Sequence, residues 1–334
     1  MSRSFRTYLL DVAVFMAIAV AMYVFFTSEV MKGNGMTIQI PPSFLQLNTI
    51  FLSIFIEAVP FVLIGVLMAG FIQVFISDEQ IRRWIPKNRL AAVTMSCIVG
   101  SCFPACECGI VPIVRRLVAK GVPIYAGVGF LLTGPLINPI VIFSTYIAFG
   151  DNWNMALMRM GVGFAAAMII ALIVSLFFKK SQLKGQANQE LIQESRGKSL
   201  FFFRIWDMLK HSIDEFFDMG KYLILGAFFA AFVQTYVSAQ SLLQVGEGWV
   251  SSTLVMMALA FILSLCSEAD AFIGASFRSM FPSTSILAFL IYGPMIDLKN
   301  TLMLASVFKK RFVFTLIILI SVIVFGCVSF VNWL

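Results

Sequence analysis

A chain of 334 residues is long enough for two soluble domains, but 60% of it is hydrophobic and only 12% is charged. Soluble domains carry about 45–50% apolar and about 25% charged residues, so this composition, with a mean hydropathy of +0.94, excludes a soluble globular protein. The formal net charge of +7 does not indicate nucleic-acid binding, because Lys and Arg cluster in short loops between apolar runs, as cytoplasmic loops of membrane proteins do.

The N-terminus, "MSRSFRTYLL", places two arginines before an apolar run with no small-residue cleavage site, so a retained first helix over Tyr8–Phe26 is predicted rather than a signal peptide. A polar stretch, Thr27–Leu47, follows, with Gly33, Gly35, Pro41 and Pro42. The second span covers Asn48–Ile76 and carries Glu57 and Pro60, and a basic loop, "SDEQIRRWIPKNR", closes it. Leu90–Leu117 contains "CFPACECGIVP". Val122–Phe149 is a long span broken by "TGPLINP", and Met155–Phe178 is another. Lys179–Lys198 reads as a solvated linker. Then come a span over Ile213–Tyr236, a segment Val250–Pro282 with "SLCSEADAF", a span Ser283–Ala305 with "IYGPMIDLKN", and a last span Phe312–Trp333.

The second half repeats the order of the first. "PFVLIGVLMAGFIQVF" lies over "KYLILGAFFAAFVQTY" at an offset of 161, which puts Gly65 on Gly226, Gln73 on Gln234, Glu57 on Asp218 and Glu107 on Glu268. "GPLIN" falls on "GPMID" after a two-residue slip. Look-alike halves are typical of secondary transporters.

The basic residues then set the topology. Both flanks of the thiol segment are basic ("IRRWIPKNR" and "VRRLVAKG"), so it enters and turns back as a re-entrant hairpin. Irregular backbone at membrane depth is tolerated only where it lines protein or a wet cavity. On this tracing only Lys32, Arg159 and Arg278 are external, and the two halves are inverted. The predicted fold is an all-α polytopic membrane protein with about seven full spans and two hairpins, given the roughly 20 residues a span needs. The rival is parallel repeats whose thiol-type segments cross fully, giving eight or nine crossings. The predicted division is an N-terminal helix and external loop over 1–47, a first repeat over 48–178, a cytoplasmic linker over 179–210, and a second repeat over 211–334.

Chemistry concentrates at the breaks. Cys102, Cys106 and Cys108 surround Pro104 and precede Gly109, so a bent helix brings thiols together. Thiolates select soft partners such as Cu(I) and Zn(II), which makes Cys106 and Cys108 candidate metal ligands too, although the spacing names no metal. Cys97 and Cys327 stand alone in apolar sequence and read as packing residues. Charged groups within spans are functional candidates by default. They are Glu57, Glu107, Asp218, Glu268, Asp270 and Asp297, with structural pairing to Lys221 or Lys299 as the alternative. Broken helices at matching places of two halves point to a transport site, here Asn138 and Asp297. His211, beside Lys210, reads as a surface residue. With no P-loop and no HExxH, neither an ATPase nor a zinc protease is indicated, and no cofactor is expected.

"CFPACECGIVP", "FLLTGPLINP" and "FLIYGPMIDL" together resemble a family of bacterial predicted permeases that includes organoarsenical efflux permeases. The resemblance runs from about Glu57 to the last span and is most specific over Pro104–Gly109. It implies a carrier of the bacterial cytoplasmic membrane with Cys102, Cys106 and Cys108 near the path of a trivalent, thiophilic solute. Some relatives look paired with a small partner membrane protein and linked to zinc supply, and a homodimer is also open. The expected activity is therefore transport, without catalysis, of a small thiophilic or metal-like solute. The site expected is Cys102, Cys106, Glu107, Cys108, Asn138, Glu268, Asp270 and Asp297. Two alternatives remain: a membrane thiol–disulfide redox protein using Cys106 and Cys108, and a partner-dependent subunit in metal supply.

Overall fold

A computed structural model of the chain describes residues 42–103, 106–178, 181–184, 201–236 and 248–333. The predicted first span and most of the linker lie outside the described residues. Two compact units divide the chain, Met1–Thr49 and Ile50–Leu334. The described part of the first is the opening of helix α1 (Pro42–Phe75), where the Thr49 hydroxyl donates to the Leu45 carbonyl at 2.9 Å. The helix starts at Pro42, before the boundary expected at Asn48, because proline is suited to a first helical position.

The second unit continues α1 and adds α2 (Asp78–Trp84), α3 (Arg89–Ser101), α4 (Glu107–Ala119), α5 (Ile124–Ile137), α6 (Pro139–Ala148) and α7 (Trp153–Phe177). After the linker come α8 (Phe201–Tyr236), α9 (Trp249–Leu263), α10 (Ser267–Ser276), α11 (Ser283–Met295), α12 (Leu298–Val307) and α13 (Lys310–Trp333). Among the described residues, six stretches are long and apolar enough to cross a membrane: α1, α5 with α6, α7, the Ile205–Tyr236 part of α8, α11 with α12, and α13. These are the six predicted spans that fall on described residues, and they make the chain a multi-pass, all-α membrane protein.

The two thiol-type segments do not cross. Helix α3 has 13 residues, roughly 20 Å at helical rise, against a hydrocarbon core of about 30 Å. The chain also returns to where it left. Lys120, just past α4, donates to the Gln73 carbonyl at 2.8 Å and to the Ile76 carbonyl, and pairs with Asp78 at 3.9 Å. The mouth of the first hairpin therefore sits at the end of α1. The second hairpin closes the same way: Trp249, at its start, donates to Thr284 at 2.9 Å, just beyond its end.

The mouths face opposite ends of the bundle. Near the first, Arg116 meets Glu215 of α8 at 2.7 Å, and one turn along α8 Met219 touches Ser306 at the end of α12. Near the second, Thr284 bonds Asn332 at the far end of α13, and Arg278 donates to the Phe149 carbonyl at 3.2 Å. Exposed tryptophans mark both ends: Trp84 and Trp206 toward the first mouth, Trp153 and Trp333 toward the second. Tryptophan favours membrane–water interfaces.

Packing is mirrored between the halves. Helix α5 packs on α3, α4 and α7, and α11 packs on α9, α10 and α13. The halves also exchange contacts, α4 resting on α12 and α10 on α6. The two broken spans are the centre: 78% of the α5–α6 window and 83% of the α11–α12 window are buried, against 28–39% for the other four. The linker is not wholly solvated, as expected from its composition. Leu183 is buried, Lys184 donates its amide to the Val307 carbonyl at 3.0 Å, and Lys309 donates to the Gln182 carbonyl at 2.9 Å. A short apolar foothold, Leu183, lets this segment cap the end of α12.

Gly65 and Gly226, paired by the sequence repeat, both sit where backbones meet. A Cβ on Gly65 would collide with the Gly109 carbonyl oxygen of α4, and one on Gly226 would lie 3.0 Å from the Lys299 Cα. Small residues allow such approach between membrane helices. Gly161 has nothing within 4 Å of an added Cβ. Gly65→Val and Gly226→Val are expected to lower the yield of monodisperse protein in detergent and its melting temperature. Gly161→Ala should leave both unchanged or raised, since alanine is favoured in helices by about 1 kcal/mol. Equal behaviour of the three variants in a fluorescence size-exclusion and melting assay would contradict this packing.

Candidate functional site

Each half supplies two broken helices, and the breaks meet in the buried centre. In the first hairpin α3 ends at Cys102, its C-cap, and α4 begins at Cys106, an N-cap whose thiol caps no backbone amide. Glu107 is the first helical residue, where a carboxylate suits the positive end of the helix dipole. In the second, α9 ends at Ser264 in the left-handed region (φ 45°, ψ 44°), a conformation costing roughly 1–2 kcal/mol away from glycine. Cys266 is the N-cap of α10 and its sulfur accepts from the Ala269 amide at 3.5 Å.

The Gly-Pro spans break for a local reason. Pro139 starts α6, and Asn138 caps it by accepting from the Val141 amide at 2.9 Å. Asp297 does the same for α12, with Oδ1 accepting from the Asn300 amide at 2.5 Å. Both residues are buried, so both breaks lie inside protein, as irregular backbone at membrane depth must.

Two buried cations tie these ends together. Lys299, on the first turn of α12, donates to the Ser264 carbonyl at 3.2 Å. Its ammonium lies 3.2 Å from Glu107 Oε1 and 3.6 Å from Asp297 Oδ2. Arg159 of α7 donates to the Ser267 carbonyl at 3.1 Å and to the Thr145 hydroxyl at 2.8 Å. Gln234 adds a third clamp, donating to the Leu263 carbonyl at 2.7 Å. The end of a broken helix exposes carbonyls that lack helical partners; Lys299 and Gln234 satisfy those of Ser264 and Leu263, while Arg159 binds the first turn of α10. Arg159 is 1% exposed. It is therefore not the external-loop marker expected from the sequence; it belongs to a span and faces the bundle interior.

The structure brings most expected site residues together. Cys106 and Cys108 are within hydrogen-bonding reach of each other, and the Lys299 charge lies beside both. Glu107, Asp270 and Asp297 are each 1% exposed and Glu268 is half-buried. Cys102 is exposed, whereas Cys106 and Cys108 are buried. Among the described residues no group of three His, Cys, Asp or Glu could hold a metal ion. Asp218 pairs with Lys221 at 3.2 Å on the surface, so its acid is explained by its neighbour. Glu57 is exposed and lies beside the Cys266 thiol. Cys97 packs with Val93 and Ala171.

The hairpins also correct the repeat register. Overlaid on their N-caps, Cys106 and Cys266, they differ by 160 positions, so Glu107 falls on Ser267 rather than Glu268, and Ile110 on Asp270. Sequence reading missed Arg159 as a site residue. The signal was present: an arginine inside the predicted span Met155–Phe178.

A bundle with paired broken helices around a buried polar centre defines a membrane permease, and the comparisons agree. The family model described as "Predicted permease", ArsP_1, matches residues 43–332. The UPF0718 protein YcgR of Bacillus subtilis is 56% identical over 282 residues, 84% of this chain and 95% of the relative. A Streptococcus mutans protein named as a two-component membrane permease complex subunit is 41% identical over 293 residues, 86% of this chain and 97% of the relative. The UPF0718 protein MJ0584 of Methanocaldococcus jannaschii is 27% identical over 141 residues, 42% of this chain and 38% of its own. No solved structure matches. The chain belongs to the ArsP_1 predicted permease family.

Removing one partner of a buried ion pair costs about 3–5 kcal/mol, because the other charge stays buried. Lys299→Met is therefore expected to lower unfolding stability in detergent by that order, and Lys299→Met/Glu107→Gln to recover part of the loss. A double variant as unstable as the sum of the two single variants would contradict the pairing.

Proposed function

We propose that this permease is a secondary transporter of the bacterial cytoplasmic membrane that moves a small thiophilic solute, an organoarsenical or a soft metal species, past Cys106 and Cys108. The observation that carries this reading is the buried thiol pair at the start of α4, with the Lys299 ammonium beside it. Sulfur ligands select soft, thiophilic partners. Two thiols give a reversible hold, which suits a carrier better than a closed cage of four ligands.

The mirrored contacts support a cycle of two inverted repeats, with the divisions 48–178 and 211–334, that rock about the shared centre. Glu107, Asp297 and Lys299 complete the solute site, with Asn138 and Glu268 around it, while Asp270 stands apart from the thiols beside the Arg159 charge. Cys102, exposed beside the first break, serves as an entry thiol in this scheme. The protein acts as a carrier and makes no covalent product. The name of the Streptococcus mutans relative favours a second reading, in which a small partner membrane protein is needed for transport.

The test is uptake into everted vesicles of a trivalent methylated arsenical, arsenite and Zn(II). Wild type and Cys106→Ser/Cys108→Ser would be compared at matched expression. Accumulation of one solute by wild type and its loss in the double variant is expected. Equal accumulation by both would overturn the thiol site, and a reducible Cys106–Cys108 bond that turns over with dithiols would favour redox chemistry instead.

A further inference from the structure

Asp270 stands out from the rest of the buried centre. It is 1% exposed, and neither carboxylate oxygen has a hydrogen-bond partner. The Glu107 oxygens also lack a hydrogen-bond partner, but Glu107 pairs with Lys299, and Asp297 both pairs with Lys299 and caps α12; among the described residues Asp270 has neither anchor. Its carboxylate lies over the Gly-Pro break: a Cβ on Gly293 would be 2.8 Å from Asp270 Oδ2. In the first half the matching glycine, Gly134, is covered by the end of Ile110. The scaffold is thus satisfied by an aliphatic side chain at this place, and packing does not explain an acid there.

The charged surroundings are unbalanced. Glu107, Asp270 and Asp297 oppose Lys299 and Arg159, three acids against two bases, all buried. The groups whose charge reaches Asp270 are Arg159, Glu107, Asp297 and Lys299. On its own helix Glu268 is two residues away, and Cys266 caps the same turn beside Glu57. Helices α6 and α11 pack against α10, but their tyrosines are engaged elsewhere: Tyr292 with Ser321 at 2.8 Å, and Tyr146 against Trp153 at 4.6 Å. Arg159 is held by Ser267 and Thr145, and its Nε has no partner.

We propose that Asp270 is the residue that carries the coupling proton of the transport cycle. This rests on the permease reading and assigns the driving ion to a place distinct from the thiols. A buried carboxylate with no donor is costly as an anion; a proton taken from water on one side makes it neutral and brings the centre to zero net charge. When the opposite side opens, Arg159 is the adjacent cation that stabilises the anion, and the proton returns to water there. Of the three fully buried acids in the centre, Asp270 is the one whose oxygens can exchange a proton without breaking an ion pair or a helix cap.

Two measurements test this. The first needs no cargo: infrared difference spectra of the purified protein, with labelled aspartate, should show a protonated-carboxyl C=O band lost in Asp270→Asn and kept in Asp297→Asn. The second uses proteoliposomes and a trivalent methylated arsenical as probe. Asp270→Asn should lose accumulation driven by a pH gradient but keep counterflow of the probe. Asp270→Glu should retain both. Should Asp270→Asn misfold, Asp270→Ile, which copies the first half's Ile110, replaces it with the same expectation. An unchanged carboxyl band, gradient-driven uptake at the wild-type level, or loss of counterflow in a folded variant would overturn the proposal. Wild type that moves no arsenical would count against the cargo reading alone, and the infrared experiment would still decide Asp270.

Discussion

Lys299 reaches from the first turn of α12 to the Ser264 carbonyl, Glu107 and Asp297, and so joins three broken helix ends with one side chain. The interaction answers a constraint that governs any chain interrupted within a bilayer: backbone groups released by a break must find partners inside the protein. Gln234 meets the same demand at Leu263, and Arg159 ties the first turn of α10 to α6 and α7. The rest of the architecture follows from it. The Gly-Pro spans must lie at the centre, where they can supply caps and cations, and the long helices α1, α7, α8 and α13 can then face lipid.

The cost of this arrangement is a cluster of buried charge. Burying ions is expensive unless they are paired and hydrogen-bonded; Lys299 and Asp297 are both, Glu107 is paired, Arg159 is hydrogen-bonded, and Asp270 has neither among the described residues. Cys106, Glu107 and Cys108, on the first hairpin, gather around Lys299, and Asp270, on the second, lies within reach of the Arg159 and Lys299 charges. The two hairpins open at opposite ends of the bundle. A solute held by the first and an ion held by the second would share the same shielded volume, which is the physical requirement for coupling their movements.

Much of this was legible in the sequence. Apolar run lengths gave the six described spans, and the basic flanks of "CFPACECGIVP" gave its hairpin. Glu107 and Asp297 were visible as acids in oil, and Lys299 as a neighbour of Asp297. Other features were hidden for physical reasons. Arg159 stands near a span end, where a basic residue ordinarily marks a loop, and only packing shows that it points inward. The one-residue slip between the hairpins concealed that Asp270 takes the place of Ile110, since acid-to-acid matching drew Glu107 onto Glu268. Leu183 looked like part of a solvated linker because one apolar residue among polar ones carries no periodicity.

The central claim is that the thiols sit in a shielded centre reached in turn from both ends of the bundle. The most direct measurement is labelling of a variant that keeps Cys106 as its single cysteine, with a membrane-impermeant maleimide, in right-side-out and in inverted vesicles. The proposed cycle predicts slow modification from both faces, since Cys106 is buried and would be reached only when one end of the bundle opens. Modification from one face alone, however long the exposure, would contradict alternating access to this centre.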